Sequence, residues 1–487
     1  MEDSCSVSLF SRSWRTRAWP AVLGLVIGTA AGAGGSKGQV PATQPAARAA
    51  PMAPIVLAAV DGMEWDVILP LLREGKLPVL ARLMRQGSFG LLDSMLPTQS
   101  PVIWTSIATG KPPDQHGILG FLRPPDPDGG SARLYNNLDR RAKAIWNILA
   151  EHGRRPAVIG WWMTYPVEQF DGVMVAQTNT IDQLDTAEGR AVWKGRLVPG
   201  KPYQVHPPEW QEEVMAILAR NDRGIERLAE RTFGRAGSPR PLLAQRLWDN
   251  TLWALRADAT YLEIARRLAA SAERLDLLAF YLGGPDVVGH RFWRYLQPEL
   301  FEHRPTTQEI EDLGHLIPDY YQYVDRSIGE ILAALASEAT VLIVSDHGMH
   351  PANREQRFEA DRPPADVKSG DHEDAPPGVL IAAGPGIAVS SLSRSLSVLR
   401  REDLPRLGSV HDVLPTLLAL VGLPLAQDLP GRVLPRLLGA APPERPRITT
   451  YETPAWREAR ARQASAFNPG DDQERIEQLR SLGYIQQ

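Results

Sequence analysis

Five short apolar runs constrain the fold of this chain more than any other feature. Each is a continuous hydrophobic stretch bounded by turn residues, which is typical of strands buried on both faces of a parallel sheet. Helical patterns lie between these runs, for example at 142–151, 261–271 and 320–336. This alternation predicts an α/β fold with a central, mostly parallel sheet sandwiched by helices. The apolar runs lie within residues 55–60, 155–161, 275–286, 339–349 and 377–387.

The amino-acid composition favours a globular protein that does not bind nucleic acid. The 487 residues include 53 Lys and Arg against 57 Asp and Glu, for a net charge of −4, and they contain no basic run. A nucleic-acid-binding surface requires clustered positive charge, which this sequence lacks. Hydrophobic residues make up 43% of the chain, enough to build a full core.

Residues 1–33 have the features of a signal peptide. Three arginines between positions 12 and 17 precede an apolar stretch at 18–31, and the sequence Ala-Gly-Ala at 31–33 matches an A-x-A cleavage site. The stretch is interrupted by proline and glycines and is shorter than the roughly 20 residues of a membrane span. We therefore expect export to the periplasm or the extracellular space. An uncleaved N-terminal membrane anchor is the alternative.

The remainder of the chain divides into three predicted regions. Residues 34–53 are rich in Ala, Pro, Gly and Gln and indicate a flexible linker. Residues 54–455 contain the apolar runs and form the predicted α/β domain. Within it, charged helical patterns at about 178–255 interrupt the alternation and predict a helical cap insertion. Residues 456–487 are polar and predict a C-terminal helical tail.

Three of the apolar runs lead into an aspartate: Asp61, Asp286 and Asp346. In open α/β sheets, ligands collect beyond the carboxyl ends of the strands, so these three carboxylates are expected to converge. Taken singly, each aspartate also fits a turn or a loop cap. The acids alone do not separate the two interpretations.

Three histidines accompany these aspartates and favour a metal site. Asp286 and His290 are four residues apart, which places them on the same face of a helix. His347 directly follows Asp346, and His372 lies shortly before the last apolar run. Carboxylates and imidazoles together form the mixed oxygen and nitrogen ligand set that Zn²⁺ accepts.

The stretch PTQSPVIWTSIATG at 97–110 predicts a helix that begins near Ser100. A serine before a proline is an ordinary helix start, with Ser100 as the N-cap and Pro101 as the first helical residue. A hydroxyl at a helix N-terminus is also well placed to attack a phosphoryl group, because the local N–H groups and the helix dipole stabilise negative charge. The stretch by itself leaves both roles open.

Taken together, the motifs resemble the alkaline phosphatase superfamily, and within it the type I phosphodiesterase/nucleotide pyrophosphatase branch. The resemblance rests on six motifs that occur in the family's order and span most of residues 54–435. It implies an alkaline-phosphatase-like catalytic domain. The motifs are Asp61-Gly62, the segment 97–118, DVVGHRFW at 286–293, SDHGM at 345–349, GDH at 370–372 with GPGI after it, and HDVLPTLLALVGLP at 411–424.

The resemblance also implies a nucleophile and two divalent metal ions. In register with the family, the nucleophile falls on Ser100, with Thr98 as the rival. The metals are expected to be Zn²⁺, with Mn²⁺ as the alternative because several ligands are carboxylates. One metal would be held by Asp61, Asp346, His347 and the Ser100 hydroxyl, and the other by Asp286, His290 and His372.

The resulting functional expectation is an exported two-metal-dependent hydrolase that acts on a small phosphoester substrate. It would cleave phosphodiester or pyrophosphate bonds through a phospho-serine intermediate. The alternatives within the same superfamily are a phosphomonoesterase and a head-group phosphotransferase, and a non-catalytic metal-binding protein is a third. A sulfatase is disfavoured, because Trp104 stands where the sulfatase motif requires an arginine.

Four further residues are candidates for substrate contact. In related diesterases an asparagine after the first helix supports the phosphate, and Asn137 or its neighbour Asn136 could take that position. Trp161, Trp162 and Tyr165 follow the second apolar run and could form a stacking wall for a base or a lipid head group. Packing in the core is the alternative for these aromatic residues.

Overall fold

The structure is a computed structural model, and the predicted signal peptide, almost all of the predicted linker and most of the predicted C-terminal tail lie outside its described residues. Within the described part, no helix is both long and apolar enough to cross a membrane. The described residues are 52–124, 133–177, 179–185, 190–195, 197, 202–234, 251–352, 368–440 and 446–466.

The described residues form fifteen strands and twelve α-helices, together with several short 3₁₀ turns. The strands are β1 (Ile55–Val60), β2 (Gly87–Asp93), β3 (Leu122–Arg123), β4 (Arg133–Leu134), β5 (Pro156–Ile159), β6 (Val173–Val175), β7 (Asn179–Asp185), β8 (Arg190–Gly195), β9 (Val205–His206), β10 (Leu277–Leu282), β11 (Thr340–Val344), β12 (His350–Pro351), β13 (Gly370–Asp371), β14 (Gly378–Ala383) and β15 (Arg406–Ser409). The helices are α1 (Trp65–Arg73), α2 (Pro78–Gln86), α3 (Ser100–Thr109), α4 (Pro113–His116), α5 (Ile145–Glu151), α6 (Gln211–Phe233), α7 (Leu252–Ala269), α8 (Gly284–Leu296), α9 (Thr307–Leu313), α10 (Leu316–Ala334), α11 (Val413–Leu420) and α12 (Pro454–Ala466).

A nine-stranded sheet organises the chain, in the order β15-β2-β14-β11-β1-β10-β5-β6-β9. Strands β11, β1, β10, β5 and β6 are mutually parallel neighbours, and β15 is parallel to β2. The antiparallel pairs are β11 with β14, β14 with β2, and β6 with β9. The five apolar runs all form strands of this sheet, so the predicted mostly parallel α/β architecture is confirmed.

Helices cover both faces of the sheet, and alternating strand residues feed two separate cores. In β1, Val56, Ala58 and Val60 face a core shared with α1, α2 and α6 to α10. The intervening β1 residues face a second core that includes α3, α5 and α11. Burial on both faces explains why β1 is apolar at every position instead of alternating with polar residues.

The region predicted as a helical cap contributes to this body. Part of its charged helical pattern forms the single long helix α6, which runs through Gly224. Its buried residues join the core on the α1 face, and the short strand β9 extends the central sheet. The described part of the region also holds the separate two-stranded β7–β8 hairpin.

One edge of the sheet collects the polar motifs. The parallel strands β11, β1 and β10 end there, ahead of the three aspartates. Because β14 is antiparallel to β11, it begins at that edge, which brings the segment before it, including His372, to the same place. Strand β2 is antiparallel to β14 and therefore also ends there, followed by Ser100 at the start of α3.

Candidate active site

Asp61, Asp346 and His347 form a fully buried group, the inner cluster. Asp61 directly follows β1, and the other two follow β11, the neighbouring strand. The Nε2 atom of His347 lies 3.4 Å from Asp61 Oδ1 and 3.3 Å from Asp346 Oδ2. The three side chains are at most 1% exposed. Adjacent parallel strands therefore deliver three potential ligands to one point.

Asp286, His290 and His372 form a second group, the outer cluster. Asp286 and His290 lie one turn apart on α8, as their spacing predicts. The Nε2 atom of His290 is 3.3 Å from Asp286 Oδ1 and 3.0 Å from His372 Nε2, and His372 Nε2 is 3.6 Å from Asp286 Oδ1. These side chains are 12–23% exposed. The outer cluster is therefore open to solvent where the inner cluster is not.

The two clusters are contiguous. The imidazole rings of His347 and His372 stack with centroids 3.8 Å apart. Potential ligand atoms of Asp286, His347 and His372 lie within 4.8 Å of one another. Gly62 permits this approach, because its φ is +64° and a Cβ there would lie 2.8 Å from the Asp286 Cα atom. The resemblance implies six metal-ligating side chains in addition to the Ser100 hydroxyl. The structure brings all six together.

Neighbouring hydrogen bonds orient the two clusters. Asp61 Oδ2 accepts from Trp104 Nε1 at 3.0 Å and from the Tyr281 hydroxyl at 2.6 Å, which leaves Oδ1 facing His347. The Nδ1 atoms of His347 and His290 each lie 2.9 Å from a backbone carbonyl oxygen. A histidine that donates from Nδ1 presents Nε2 as a lone-pair ligand. The geometry is that of imidazoles set to bind a cation.

The chemistry of the donor atoms fits divalent metal ions. Five buried side-chain atoms of the two clusters have no hydrogen-bond partner among the described residues. Buried polar atoms without partners are costly, and a coordinated cation is a common reason for them. The atoms are Asp61 Oδ1, Asp346 Oδ2, His347 Nε2, Asp286 Oδ1 and His372 Nδ1.

The pKa shifts of the cluster residues also favour cation binding. Burial raises the pKa of Asp346 well above its usual range, and the charge of Asp61 raises it further. Burial likewise raises the pKa of Asp286. Burial alone would lower the pKa of His347, but the carboxylates of Asp346 and Asp61 outweigh it and raise that pKa to about 10. Carboxylates crowded in a dry site create a strong demand for positive charge.

Ser100 is the first residue of α3, and Gln99 is the N-cap residue, so the predicted N-cap role of Ser100 shifts by one position. Trp104, whose indole bonds Asp61, lies four residues further along the same helix. Residues four apart share one face of a helix, so Ser100 lies on the face of α3 that is turned toward the inner cluster. The rival Thr98 has its hydroxyl committed to the Glu373 carbonyl oxygen at 3.2 Å, which favours Ser100.

The start of α3 differs from the expected anion site in one respect. The N–H groups of Val102 and Ile103 both donate to the Gln99 carbonyl oxygen, at 2.9 Å and 3.1 Å. Pro101 has no N–H group to offer. The N–H groups of Val102 and Ile103 are therefore engaged within the helix, and much of the stabilisation of a phosphoryl group's charge falls to the cluster side chains and to what they bind.

The weaker candidates for substrate contact lie mainly in the protein interior. The Asn137 amide is 1% exposed, donates to the Pro166 carbonyl oxygen at 2.8 Å and accepts from Arg460 at 3.0 Å. Trp161 is fully buried, and its indole donates to the Trp104 carbonyl oxygen at 3.1 Å. For Asn137 and Trp161 the contacts favour a structural role over the predicted substrate contact.

Trp162 and Tyr165 are also buried, at 7% and 8% exposure, which favours the packing alternative over a free stacking wall. Trp162 nonetheless packs edge-on against Tyr281 at 6.1 Å and Phe121 at 5.7 Å between ring centroids. Because Tyr281 donates a hydrogen bond to Asp61, these aromatic contacts help to fix the position of the Asp61 carboxylate.

Two residues that the sequence motifs do not single out, Ser345 and Glu64, hold the loops of the inner cluster. Ser345 Oγ accepts from the Met63 N–H at 2.8 Å and donates to the His347 carbonyl oxygen at 2.7 Å. The carboxylate of Glu64, 0% exposed, accepts from the Met349 N–H at 3.0 Å and pairs with Arg401. The sequence does place Glu64 three residues after Asp61, at the end of a predicted strand. A glutamate in that position is equally typical of an ordinary helix start, so the spacing alone does not indicate a role at the site.

Comparison with known proteins agrees with this arrangement. The sequence profile of the family described as type I phosphodiesterase/nucleotide pyrophosphatase matches residues 55–391, which include β1, Ser100 and every residue of both clusters. The chain belongs to this family. The resemblance predicted from the six motifs, to the alkaline phosphatase superfamily and this branch of it, is thereby confirmed.

Individual relatives are distant. A 2,3-bisphosphoglycerate-independent phosphoglycerate mutase of Desulforudis audaxviator is 27% identical over 181 residues, 37% of this chain and 27% of the relative, so the chain matches only about a quarter of that protein. The phosphonoacetate hydrolase of Sinorhizobium meliloti, solved with phosphonoformate, is 18% identical with a TM-score of 0.35, covering 62% of this chain and 58% of that one. Human ectonucleotide pyrophosphatase/phosphodiesterase 5 is 13% identical with a TM-score of 0.43, covering 80% of this chain and 100% of that one.

Proposed function

We propose that this protein is a metal-dependent hydrolase that cleaves phosphodiester or pyrophosphate bonds, with Ser100 as the nucleophile. The observation that carries the proposal is the meeting of the inner and outer clusters at the edge of the sheet where α3 begins. The unpartnered buried atoms of the clusters support cation binding. Membership of the type I phosphodiesterase/nucleotide pyrophosphatase family supports the reaction class.

In this proposal the inner cluster and the Ser100 hydroxyl would hold one divalent ion, and the outer cluster would hold the other. Bound there, Zn²⁺ or Mn²⁺ would supply Lewis acidity for the phosphoryl group and its attacking and leaving oxygens. The side chains of the protein fix the positions of these charges. Trp104 and Tyr281 hold the Asp61 carboxylate, and the Gly370 carbonyl holds His290.

The reaction proceeds in two displacements at phosphorus. First, Ser100 Oγ forms a bond to phosphorus while the bond to the leaving oxygen breaks, and the leaving group departs with the proton that the serine gave up. A water molecule then attacks phosphorus in the phospho-serine and supplies its hydroxyl, while the bond between phosphorus and Ser100 Oγ breaks and Ser100 Oγ takes a proton from the water. Splitting the hydrolysis in this way gives two easier steps and regenerates the enzyme.

Substrate preference offers the sharpest test of this proposal. With the metal-loaded protein, bis(4-nitrophenyl) phosphate is expected to turn over faster than 4-nitrophenyl phosphate under identical conditions. A strong preference for the monoester would contradict the diesterase assignment and favour a phosphomonoesterase. Absence of turnover with either compound and with a dinucleotide pyrophosphate, in protein shown to hold two metal ions, would favour the non-catalytic alternative.

We also propose that the protein is exported through its N-terminal segment. The arginines and the apolar stretch within residues 1–33 support this, together with the Ala-Gly-Ala sequence at 31–33. N-terminal sequencing of the protein recovered from its native compartment is expected to begin after residue 33. An intact N-terminus in the membrane fraction would indicate the anchored alternative.

A further inference from the structure

A cavity of about 590 Å³ lies away from the two metal-binding clusters. Lys111, which follows the C-terminal end of α3, forms one wall, and α12 forms another through Trp456 and Arg457. Ser100 lies at the other end of α3, which at ten residues is about 15 Å long. The cavity is therefore a separate site, and nothing in the proposed reaction uses it.

The walls of this cavity carry an excess of positive charge. Five of its lining residues are cationic, and two, Asp428 and Glu452, are acidic. Lys111 Nζ contacts both acids, at 2.7 Å from Asp428 and 2.6 Å from Glu452. Asp428 Oδ1 has no hydrogen-bond partner among the described residues, but the cations still outnumber the acids. The cationic residues are Lys111, Arg140, Arg141, Arg457 and Arg460.

The carboxylate that pairs with the two interior arginines, Arg140 and Arg460, does not cancel this excess of positive charge. Arg140 and Arg460 share one carboxylate, that of Glu168, at 2.7 Å and 3.3 Å. Burial and the nearby charge of Arg140 work against the charged form of Arg460 and lower its pKa to about 10, although Glu168 favours that form. The protein thus maintains two buried guanidinium groups beside the cavity, and Glu168 is the carboxylate that both contact directly. Asp139, which pairs with Arg123, also favours the charged form of Arg460.

Two arginines at the rim are free to bind a ligand. Arg141 and Arg457 are exposed, and within the described part of the chain neither has an ion-pair partner. Guanidinium groups bind phosphate and carboxylate through paired hydrogen bonds, and here the positive field behind them strengthens that preference. Leu138 and Trp456 add apolar surface to the same cavity. A concave site that combines apolar walls with a few convergent charges is typical of small-molecule binding.

We propose that this cavity is a second, non-catalytic site for a small organic anion. The anion would place a phosphate or carboxylate group between Arg141 and Arg457 and an apolar body against Leu138 and Trp456. This site goes beyond the proposed phosphodiesterase activity and does not depend on it, since it shares no residue with the two clusters.

Calorimetric titration with phenylphosphonate, which has an aromatic body and a phosphate-like group, tests the proposal. In the full chain carrying Asp61→Asn, which weakens binding at the metal clusters, one site per chain is expected to remain. Adding Arg141→Ala and Arg457→Ala should weaken this remaining site by at least about tenfold, because each arginine contributes a charge-assisted contact. Benzoate and inorganic phosphate in parallel titrations then show whether the anionic group or the apolar body dominates.

Arg462→Ala is the matched control, since Arg462 is an exposed arginine on the same helix that does not line the cavity. It should leave the titration unchanged, and the thermal unfolding of all variants should match the parent protein. The proposal fails if the paired arginine variant binds as tightly as the parent, if Asp61→Asn removes all binding, or if no binding occurs at millimolar phenylphosphonate.

Discussion

The inner and outer clusters have the same types of side chain but are built differently. The inner cluster follows two paired strands, whose register sets Ala59 opposite Val344, and its side chains are at most 1% exposed. The outer cluster combines one turn of α8 with a segment ahead of β14, and its side chains are 12–23% exposed. Sheet register thus positions one group, and a helix and a loop position the other.

This difference has a functional meaning. Ligands fixed by a buried sheet lose little further freedom on binding a cation, which favours tight binding. Ligands on a helix and a loop that are partly exposed to solvent would allow substrate and water to reach a second cation bound there. We therefore expect the inner cluster to retain its metal more tightly and the outer cluster to exchange with solvent.

The largest expected effect comes from Ser100, beside the inner cluster. Ser100→Ala should lower turnover by several orders of magnitude, because no other group can replace the nucleophile. Both metals should remain bound, since the Asp61, Asp346 and His347 side chains are unchanged. Steady-state kinetics together with elemental analysis measure both outcomes.

Thr98→Ala is the control for Ser100→Ala and is expected to be mild. If Ser100 is instead only part of the helix start, its alanine variant would keep its rate and nearly all of its stability, because Gln99 and not Ser100 is the N-cap residue. An inactive Thr98→Ala beside an active Ser100→Ala would move the nucleophile to position 98.

Comparing Asp346→Ala with His372→Ala tests whether the clusters hold separate metals. Each variant is expected to lose one of two bound ions and most of the activity, while the sheet stays folded. In the His372→Ala protein the remaining inner ion should resist a chelator, whereas in Asp346→Ala the remaining outer ion should be removed readily. Equal resistance in both variants would contradict the proposed difference between the clusters.

Glu64 offers a smaller change near the inner cluster, and its carboxylate also accepts from the Asp66 N–H at the start of α1. Glu64→Ala removes the acceptor that ties the loop after β1 to the Met349 N–H, so the affinity for the inner metal should fall by about tenfold. Glu64→Gln, which keeps an acceptor, should lose less. Competition with a chromogenic chelator measures the affinity.

Asp66→Ala provides the comparison for Glu64. Asp66 contacts the same Arg401 at 3.2 Å, but its side chain is 49% exposed. It is expected to leave metal affinity unchanged. A loss of affinity equal to that of Glu64→Ala would show that the Arg401 contact, and not the Met349 hydrogen bond, holds the loop.

The last expected effect is on stability and concerns Asp258, which supports the start of the helix that carries the outer cluster. Its carboxylate accepts from the N–H groups of Gly283 and Gly284, at 3.0 Å and 2.9 Å, where α8 begins. Burial raises the pKa of Asp258 from 3.8 to about 7. A folded pKa above the unfolded value means that the protonated form stabilises the fold, and this contribution is lost as the pH rises from about 4 through 7.

Asp258→Asn removes that titration. Denaturant unfolding between pH 4 and 8 should therefore show a fall in the free energy of unfolding for the parent protein, relative to the variant, of at most about 1.4 kcal/mol per pH unit. Parallel pH profiles for the two proteins would contradict the expectation.

The sequence predicted the outer pair Asp286 and His290 well, because four-residue spacing on a helix fixes a shared face without reference to the rest of the fold. It also located β1, β10 and β11, since full burial on both faces makes these strands apolar at every position. The convergence of their aspartates followed from the general behaviour of parallel strands.

The rest of the sheet depends on long-range packing that the sequence pattern does not show. Strand β2 escaped prediction because its sequence, GSFGLLD, contains two glycines. Both are required by close backbone approach: a Cβ at Gly87 would lie 1.9 Å from the Ala382 carbonyl oxygen, and one at Gly90 would lie 2.3 Å from that of Pro405. The antiparallel direction of β14 is likewise set by its neighbours, because an apolar run does not indicate whether a strand is parallel or antiparallel to the strands beside it.

The ligands of the two clusters are spread from position 61 to position 372 of the chain, and this has a consequence for synthesis. A ribosome must add the last histidine before any folding intermediate can assemble both clusters. A nascent or truncated chain that ends earlier holds the proposed nucleophile and some of the ligands but not the complete site. The proposed phosphoester cleavage thus requires a chain that extends at least to His372.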